Sequence, residues 1–184
     1  VIGSVTYRLA QLADNRTLWV IDPRICSYNV LVGLVGGSVS RRIIDYTVRY
    51  FSHLKKSRFT LIHIIPPVPP QWLNSGDIME LIENNEPEQI TMQLKEYTDS
   101  VKEHADNAKK KLVQAGVPEQ NIFFKVQPPK RGIARDILVE MEEGNHGILI
   151  IGRKGSRNIQ DFGLGSKSNK LLLSARAFIS CLVH

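Results

Sequence analysis

The stretch "GILIIGRKGSRNIQDFGLGSKSNKLLL", residues 147 to 173, decides the fold. It opens on a short, continuously apolar run, the mark of a strand buried on both faces. Glycines then fall at Gly152, Gly155, Gly163 and Gly165, and Ser166 stands where the next helix, carrying Leu171 to Leu173, would be capped. A loop of this length with no structure of its own is usually a binding segment or a disordered one. The rest of the chain has to decide between the two.

Outward from this unit the same alternation repeats. "NVLVGLV" (29 to 35), "RFTLIHII" (58 to 65), "NIFFKV" (121 to 126), "GILIIG" (147 to 152) and "AFISCLV" (177 to 183) read as five short buried strands. Between them Ile44, Val48 and Phe51 mark a first helix from Ser40, with Ser38 or Ser40 as cap. Ile90, Leu94, Tyr97, Val101, Ala105, Ala108 and Leu112 form one apolar stripe along a helix from Glu88 to Ala115, closed by Gly116. Ile133, Ile137 and Met141 mark a third helix ending at Gly144. Strands alternating with helices imply an α/β fold, an open five-stranded parallel sheet covered on both faces with right-handed crossovers. Ligands in such sheets sit beyond the carboxyl ends of strands where the strand order reverses, which directs attention to "VGGSVS" (35 to 40) and to the glycine loop. The proline cluster "PPVPPQW" (66 to 72) reads as a stiff connector.

The chain has 184 residues, 42% hydrophobic and 23% charged. That suits one core of roughly 150 residues and leaves about thirty to be explained separately. No apolar run approaches the ~18 residues of a membrane span. Cys26 and Cys181 show no metal or redox spacing and read as reduced thiols of a cytoplasmic protein, with a disulfide left open. The formal charge of +6 is concentrated near Arg153, Lys154, Arg157, Lys167 and Lys170, so anions are expected at that loop. Nucleic acid is disfavoured, because no basic stripe is interleaved with aromatics. The five histidines are scattered without ligand spacing, so no metal site and no catalytic residue is assigned.

Glycine lets the backbone approach a ligand closely, and free N–H groups at a helix start present partial positive charge to an anion. That combination suits a polyphosphate, with Ser166 donating a hydroxyl and Arg153, Lys154, Arg157 or Lys167 supplying charge; a capping serine amid solvated cations is the plain alternative. GxxxxGK[ST] does not occur, nor does GxGxxG after the first strand.

"GRKGSRNIQDFGLGS" fits G-x2-G-x9-G-[S/T] at Gly152, Gly155, Gly165 and Ser166, and so resembles the universal stress protein family. "VLVGLVGGSVSRRII" (30 to 44) is similar to that family's opening strand and helix, and the likeness covers 29 to 184. The resemblance implies strand order 3-2-1-4-5 and a stress-response module, cytoplasmic and not an enzyme beyond slow ATP hydrolysis. It would bind ATP or AMP, with or without Mg2+. Gly152, Gly155, Gly165, Ser166, Lys167 and Arg153 are implied at phosphate or ribose, Ile64 and Ile151 beside the adenine, and Val35 and Gly36 at the end of strand one. One departure is plain: the family commonly has an aspartate where Val35 stands. Losing such a partner costs on the order of 1 kcal/mol or more, about tenfold in affinity. A domain that lost the nucleotide and acts through dimerisation or protein contacts is therefore the alternative. A third reading, an ATP-pyrophosphatase-like enzyme, rests on the likeness of "VGGSVS" to an SGGxDS loop and lacks that loop's aspartate.

The same resemblance accounts for residues 1 to 22. "GSVTYRLAQLADNRTLWVID" (3 to 22) is similar to the family's last helix and strand, and placing Gly3-Ser4 on Gly165-Ser166 also aligns Leu9 with Leu171 and Ala13 with Ala175. Residues 1 to 22 then read as the end of an upstream repeat, 23 to 28 as linker, and 29 to 184 as the domain itself. An unrelated helix and edge strand is the competing reading. "TLWVI" left bare would aggregate, so antiparallel pairing of 17 to 21 with 178 to 183 is expected, within one chain or across a homodimer.

Overall fold

The computed structural model describes residues 3–13, 16–68, 87–153, 165–174 and 178–184. In chain order these form α1 (Ser4–Leu12), β1 (Leu18–Ile21), β2 (Val30–Gly33), α2 (Gly37–Phe51), β3 (Phe59–Ile64), α3 (Pro87–Gln114), β4 (Ile122–Gln127), α4 (Ile133–Glu143), β5 (Ile148–Gly152), α5 (Ser166–Ser174) and β6 (Ile179–Val183). Gly155, Gly163, Lys154 and Arg157, and most of the proline cluster, lie outside the described residues.

The sheet runs β1-β6-β5-β2-β3-β4. Strands β2 to β6 are parallel, whereas β1 lies antiparallel on β6, with Leu18 opposite Leu182 and Trp19 opposite Cys181. The expected five-stranded, all-parallel sheet is thus corrected to six strands, one of them antiparallel. The cause is the N-terminal strand, whose N–H and C=O groups find the edge of β6 within the same chain.

Alternation along the strands sends side chains to two cores. Val30, Val32, Phe59, Leu61 and Ile150 meet α2 and α3 through Ile43, Phe51, Val101, Ala105 and Leu112. Leu31, Ile62, Ile64, Leu149 and Ile151 meet Ile137, Met141, Leu171 and Leu172, together with Ala10 of α1. The α3 stripe read from the sequence is the face that packs. Strand β4 departs from expectation, because Phe123 is 44% and Phe124 37% exposed. A strand at the sheet edge has one neighbour, and its apolar run is not evidence of burial on both faces.

Helix α2 starts at Gly37, ahead of the expected Ser40. The turn from β2 needs positive φ at Gly36 (86°) and Gly37 (61°), which glycine adopts without a Cβ clash. Ser40 is fully buried and turns back into that loop, its Oγ accepting from Val35 N at 3.0 Å and Gly36 N at 2.9 Å. It fastens the strand to the helix without standing at the cap.

Candidate functional site at the carboxyl edge of the sheet

Strand β2 lies between β3 and β5, and the chain leaves β2 toward α2 on one face and β5 toward α5 on the other. This is the switch point at which α/β sheets hold ligands. The two ends of the glycine loop meet there: Gly165 N donates to Arg153 O at 3.1 Å, and Ser168 Oγ donates to Gly152 O at 2.8 Å. The first turn of α5 is thereby fixed beside the end of β5. Ser166 and Lys167 are exposed on it, while Ser168 is buried beneath.

Ile64 and Ile151, expected beside a base, are 5% and 6% exposed and belong to the core under α4 and α5. Val35 and Gly36 are present at the edge, but their amides are bonded to Ser40. Arg153, expected at phosphate or ribose, has partners in α1. It is 1% exposed, and its guanidinium donates to Gln11 O at 2.8 Å and to Ala13 O, the carbonyls at the end of α1. A helix C-terminus offers unpaired carbonyls and partial negative charge, which this cation complements.

Sequence reasoning missed three residues. The Tyr97 hydroxyl donates to Val35 O, and its ring packs edge-on against His63 with centroids 5.3 Å apart. Tyr97 was read as one member of the α3 stripe, which it is; nothing local showed that its hydroxyl reaches across 62 positions. His63, read as a structural histidine, is 1% exposed, with Nδ1 3.0 Å from Leu34 O and Nε2 without a hydrogen-bond partner. Ser40 carried a visible signal, a hydroxyl three residues after two glycines, and was taken for a cap.

Burial lowers the pKa of His63, and the charge of Lys167 lowers it further. His146 is also held low by burial, which outweighs the pull of Glu140. Both rings are neutral in the folded protein, so the unfolded chain takes up protons first as pH falls. Their contribution to stability is complete above about pH 6.5 and is lost below it, at up to about 1.4 kcal/mol per pH unit for each ring. Thermal melts between about pH 7.5 and about pH 5.5 should show the midpoint falling with acid, and less steeply in His146→Phe.

Among the described residues no group of three His, Cys, Asp or Glu is placed to hold a metal, and no helix is long and apolar enough to cross a membrane. Cys26 is exposed and Cys181 buried, and the two are free thiols.

The doubly covered sheet and its switch point define an open α/β domain. The chain belongs to the universal stress protein family, whose family model matches residues 28–179. No curated protein matches the sequence. Among solved structures it is similar to the universal stress protein from Archaeoglobus fulgidus in complex with dAMP, at 13% identity and TM-score 0.53, covering 85% of this chain and 98% of that one. A universal stress protein in complex with cAMP gives 18% identity and TM-score 0.55, covering 86% and 99%. A further universal stress protein from Archaeoglobus fulgidus DSM 4304 gives 12% identity and TM-score 0.54, covering 91% of this chain but 49% of that one.

Proposed function

We propose that this chain is a regulatory module of the stress response that holds an adenine nucleotide, ATP or AMP, at the carboxyl edge of its sheet. The observation that carries the reading is the meeting of the described residues on either side of the glycine loop, through Gly165 N to Arg153 O and Ser168 Oγ to Gly152 O. This sets the first turn of a helix, with exposed Ser166 and Lys167, at the switch point. Amides and an ammonium there suit phosphate oxygens, and Mg2+ would accompany a triphosphate. The dAMP and cAMP complexes of the solved relatives lend support. No residue is assigned to turnover; the module works as a binder, in the cytoplasm where its thiols stay reduced.

The test is denaturation of freshly purified protein followed by mass analysis of released nucleotide, with ATP titration of the stripped protein. Gly165→Asp puts a carboxylate at the helix start and should lower ATP affinity at least about a hundredfold, since it repels phosphate and itself takes up the positive end of the helix dipole. Unchanged ATP binding in this variant would sink the reading.

A second reading has its own support. Val35 offers no carboxylate, its carbonyl is taken by Tyr97 and its amide by Ser40, so the β2 side of the edge is internally satisfied. A domain acting through protein contacts would look like this, and would release and bind no nucleotide in the same experiment.

The first 22 residues fit the tail of an upstream copy. Helices α1 and α5 are nine residues each, and from Ser4 to Ser166 is a step of 162 residues. The same step carries β1 onto residues 180 to 183, inside β6. Leu9 is 57% exposed, whereas Leu171, one step later, is 2% exposed beneath its own sheet. Val5, Leu9 and Leu12 thus present a bare apolar face of the kind an upstream domain would cover.

A further inference from the structure

Strand β4 is the outer strand of the sheet and pairs with β3 alone. One bond shows which of its peptide groups face outward. Gln127 O accepts from Ile65 N, just past β3, at 2.9 Å, so Gln127 points toward β3. Successive residues of a strand send their N–H and C=O to opposite sides, so Phe123 and Lys125 also bond toward β3, whereas Phe124 and Val126 turn theirs away from it. The N–H of Ile122 also faces outward and is taken up by Glu119 O. Phe124 and Val126 have no backbone partner across that edge among the described residues.

Proteins blunt such an edge with a proline, a bulge or a lysine. Strand β4 contains no proline, and its register with β3 runs unbroken from Ile122 to Gln127. Its one lysine is drawn off the edge: Lys125 Nζ donates to Glu140 Oε1 at 2.6 Å and to Glu140 Oε2 at 2.8 Å, on the face covered by α4. The side chains flanking the open peptide groups are aromatic and exposed. Ile122 packs toward α2 and α3, so Phe124 lies on that face and Phe123 on the face of α4.

The charges along this edge name its occupant. At one end the Arg58 guanidinium lies 5.4 Å from the centroid of the Phe123 ring; at the other, Lys130 and Arg131 line a polar hollow with Gln127. These three cations have no carboxylate partner among the described residues. Of the acids in the hollow, Glu140 holds Lys125 and Asp136 accepts from the amides of Lys130 and Arg131, which leaves Glu143 and a surplus of positive charge. A second copy of β4 laid antiparallel would carry its own Lys130 and Arg131 to Arg58 of the first, like charge against like. We propose that the outer edge of β4 docks an extended acidic segment of another protein, which pairs its backbone with Phe124 and Val126 as a further strand of the sheet. Directly opposed residues share a face, so the segment alternates: apolar side chains meet Phe124, and acidic ones lie on the α4 face between Arg58 and Arg131.

The test is calorimetric titration of the full chain with a capped synthetic peptide alternating glutamate with valine and threonine, and with the same peptide carrying lysine for glutamate. The glutamate peptide should bind at least about tenfold tighter at low salt, with the preference fading as salt rises. Val126→Pro removes an outward N–H and leaves the ladder to β3 intact, because proline is tolerated where a strand's N–H faces solvent; it should weaken the glutamate peptide about tenfold, the worth of one hydrogen bond. Phe124→Thr, which keeps a strand-forming residue and removes the aromatic contact, should weaken it by a similar factor, and thermal melts of both variants report their folding. No binding of the glutamate peptide, equal affinity for the two peptides, or binding that both variants leave unchanged overturns the proposal. A full chain that runs at twice its monomer mass in light scattering, and at the monomer mass as Val126→Pro, gives the edge to a second copy and overturns it as well.

Discussion

Replacing Arg153 by methionine should free the N-terminal helix while the parallel part of the sheet stays folded. The guanidinium is buried and donates to Gln11 O at 2.8 Å and to Ala13 O, while the residue's own backbone is held by Val183 O and Gly165 N. Methionine keeps the apolar stem but leaves two carbonyls at a helix C-terminus without a donor and without the charge that complements the dipole. Unmatched buried acceptors cost about 1–3 kcal/mol each, and a broken buried charge contact costs ~3–5 kcal/mol in all. Loss of that size exceeds what one nine-residue helix retains through Ala10 alone, so α1 should detach before the domain unfolds. Trypsin should then cut at Arg8 and Arg16 many times faster than in wild type, and the urea midpoint should fall. Arg153→Lys should behave almost as badly, because an ammonium cannot span two carbonyls as a planar fork does. Undisturbed protection at Arg8 and Arg16, combined with a loss of ATP binding, would instead return Arg153 to the phosphate role expected from the motif.

That residue shows where sequence reading stops. Periodicity is local, so the strands at 30 to 33, 59 to 64 and 148 to 152 and the long helix with Val101, Ala105 and Leu112 on its packing face could be read within a few residues. Neighbour relations are not local. The run containing Phe123 and Phe124 has the same composition as a central strand, and only the sheet order makes it an edge. The glycine spacing located the loop and the start of α5, since both depend on backbone freedom that glycine alone supplies. Which polar groups face that edge depends on contacts such as Tyr97 to Val35 and Arg153 to Gln11, separated by 62 and 142 positions. A cation inside a glycine motif and a cation capping a distant helix are identical in sequence; burial and partners distinguish them.

Removing residues 1 to 22 should turn the protein into a symmetric dimer joined at β6. The deletion strips the edge of a strand whose Cys181 and Leu182 are fully buried and uncovers Phe51, against which Trp19 stacks at 5.1 Å. An unpaired apolar edge seeks another strand, and the partner of matching shape is the same edge on a second molecule. The register can be stated in advance. Trp19 lies opposite Cys181, and the 162-residue step that lays α1 on α5 lays Trp19 on Cys181 as well. Substituting a second β6 for β1 therefore places Cys181 opposite Cys181 on the two-fold axis. Directly opposed residues of an antiparallel pair have Cα atoms about 4.5–5.5 Å apart, within the span a disulfide bridges. Burial pushes the Cys181 thiol up to about 12 in the intact chain, so the reaction needs an added oxidant and mildly alkaline solution. In a Cys26→Ser background, which removes the exposed thiol, the truncated protein should run at twice its monomer mass in light scattering and form a covalent dimer on oxidation. The full-length chain with the same substitution should form none, because Trp19 occupies the place of the second cysteine. A truncated protein that stays monomeric, or dimerises without cross-linking, would mean that the match between the two helix–strand units does not reflect one repeated design. Residues 1 to 22 would then be an appendage particular to this chain, and the apolar face at Val5, Leu9 and Leu12 would need a different occupant.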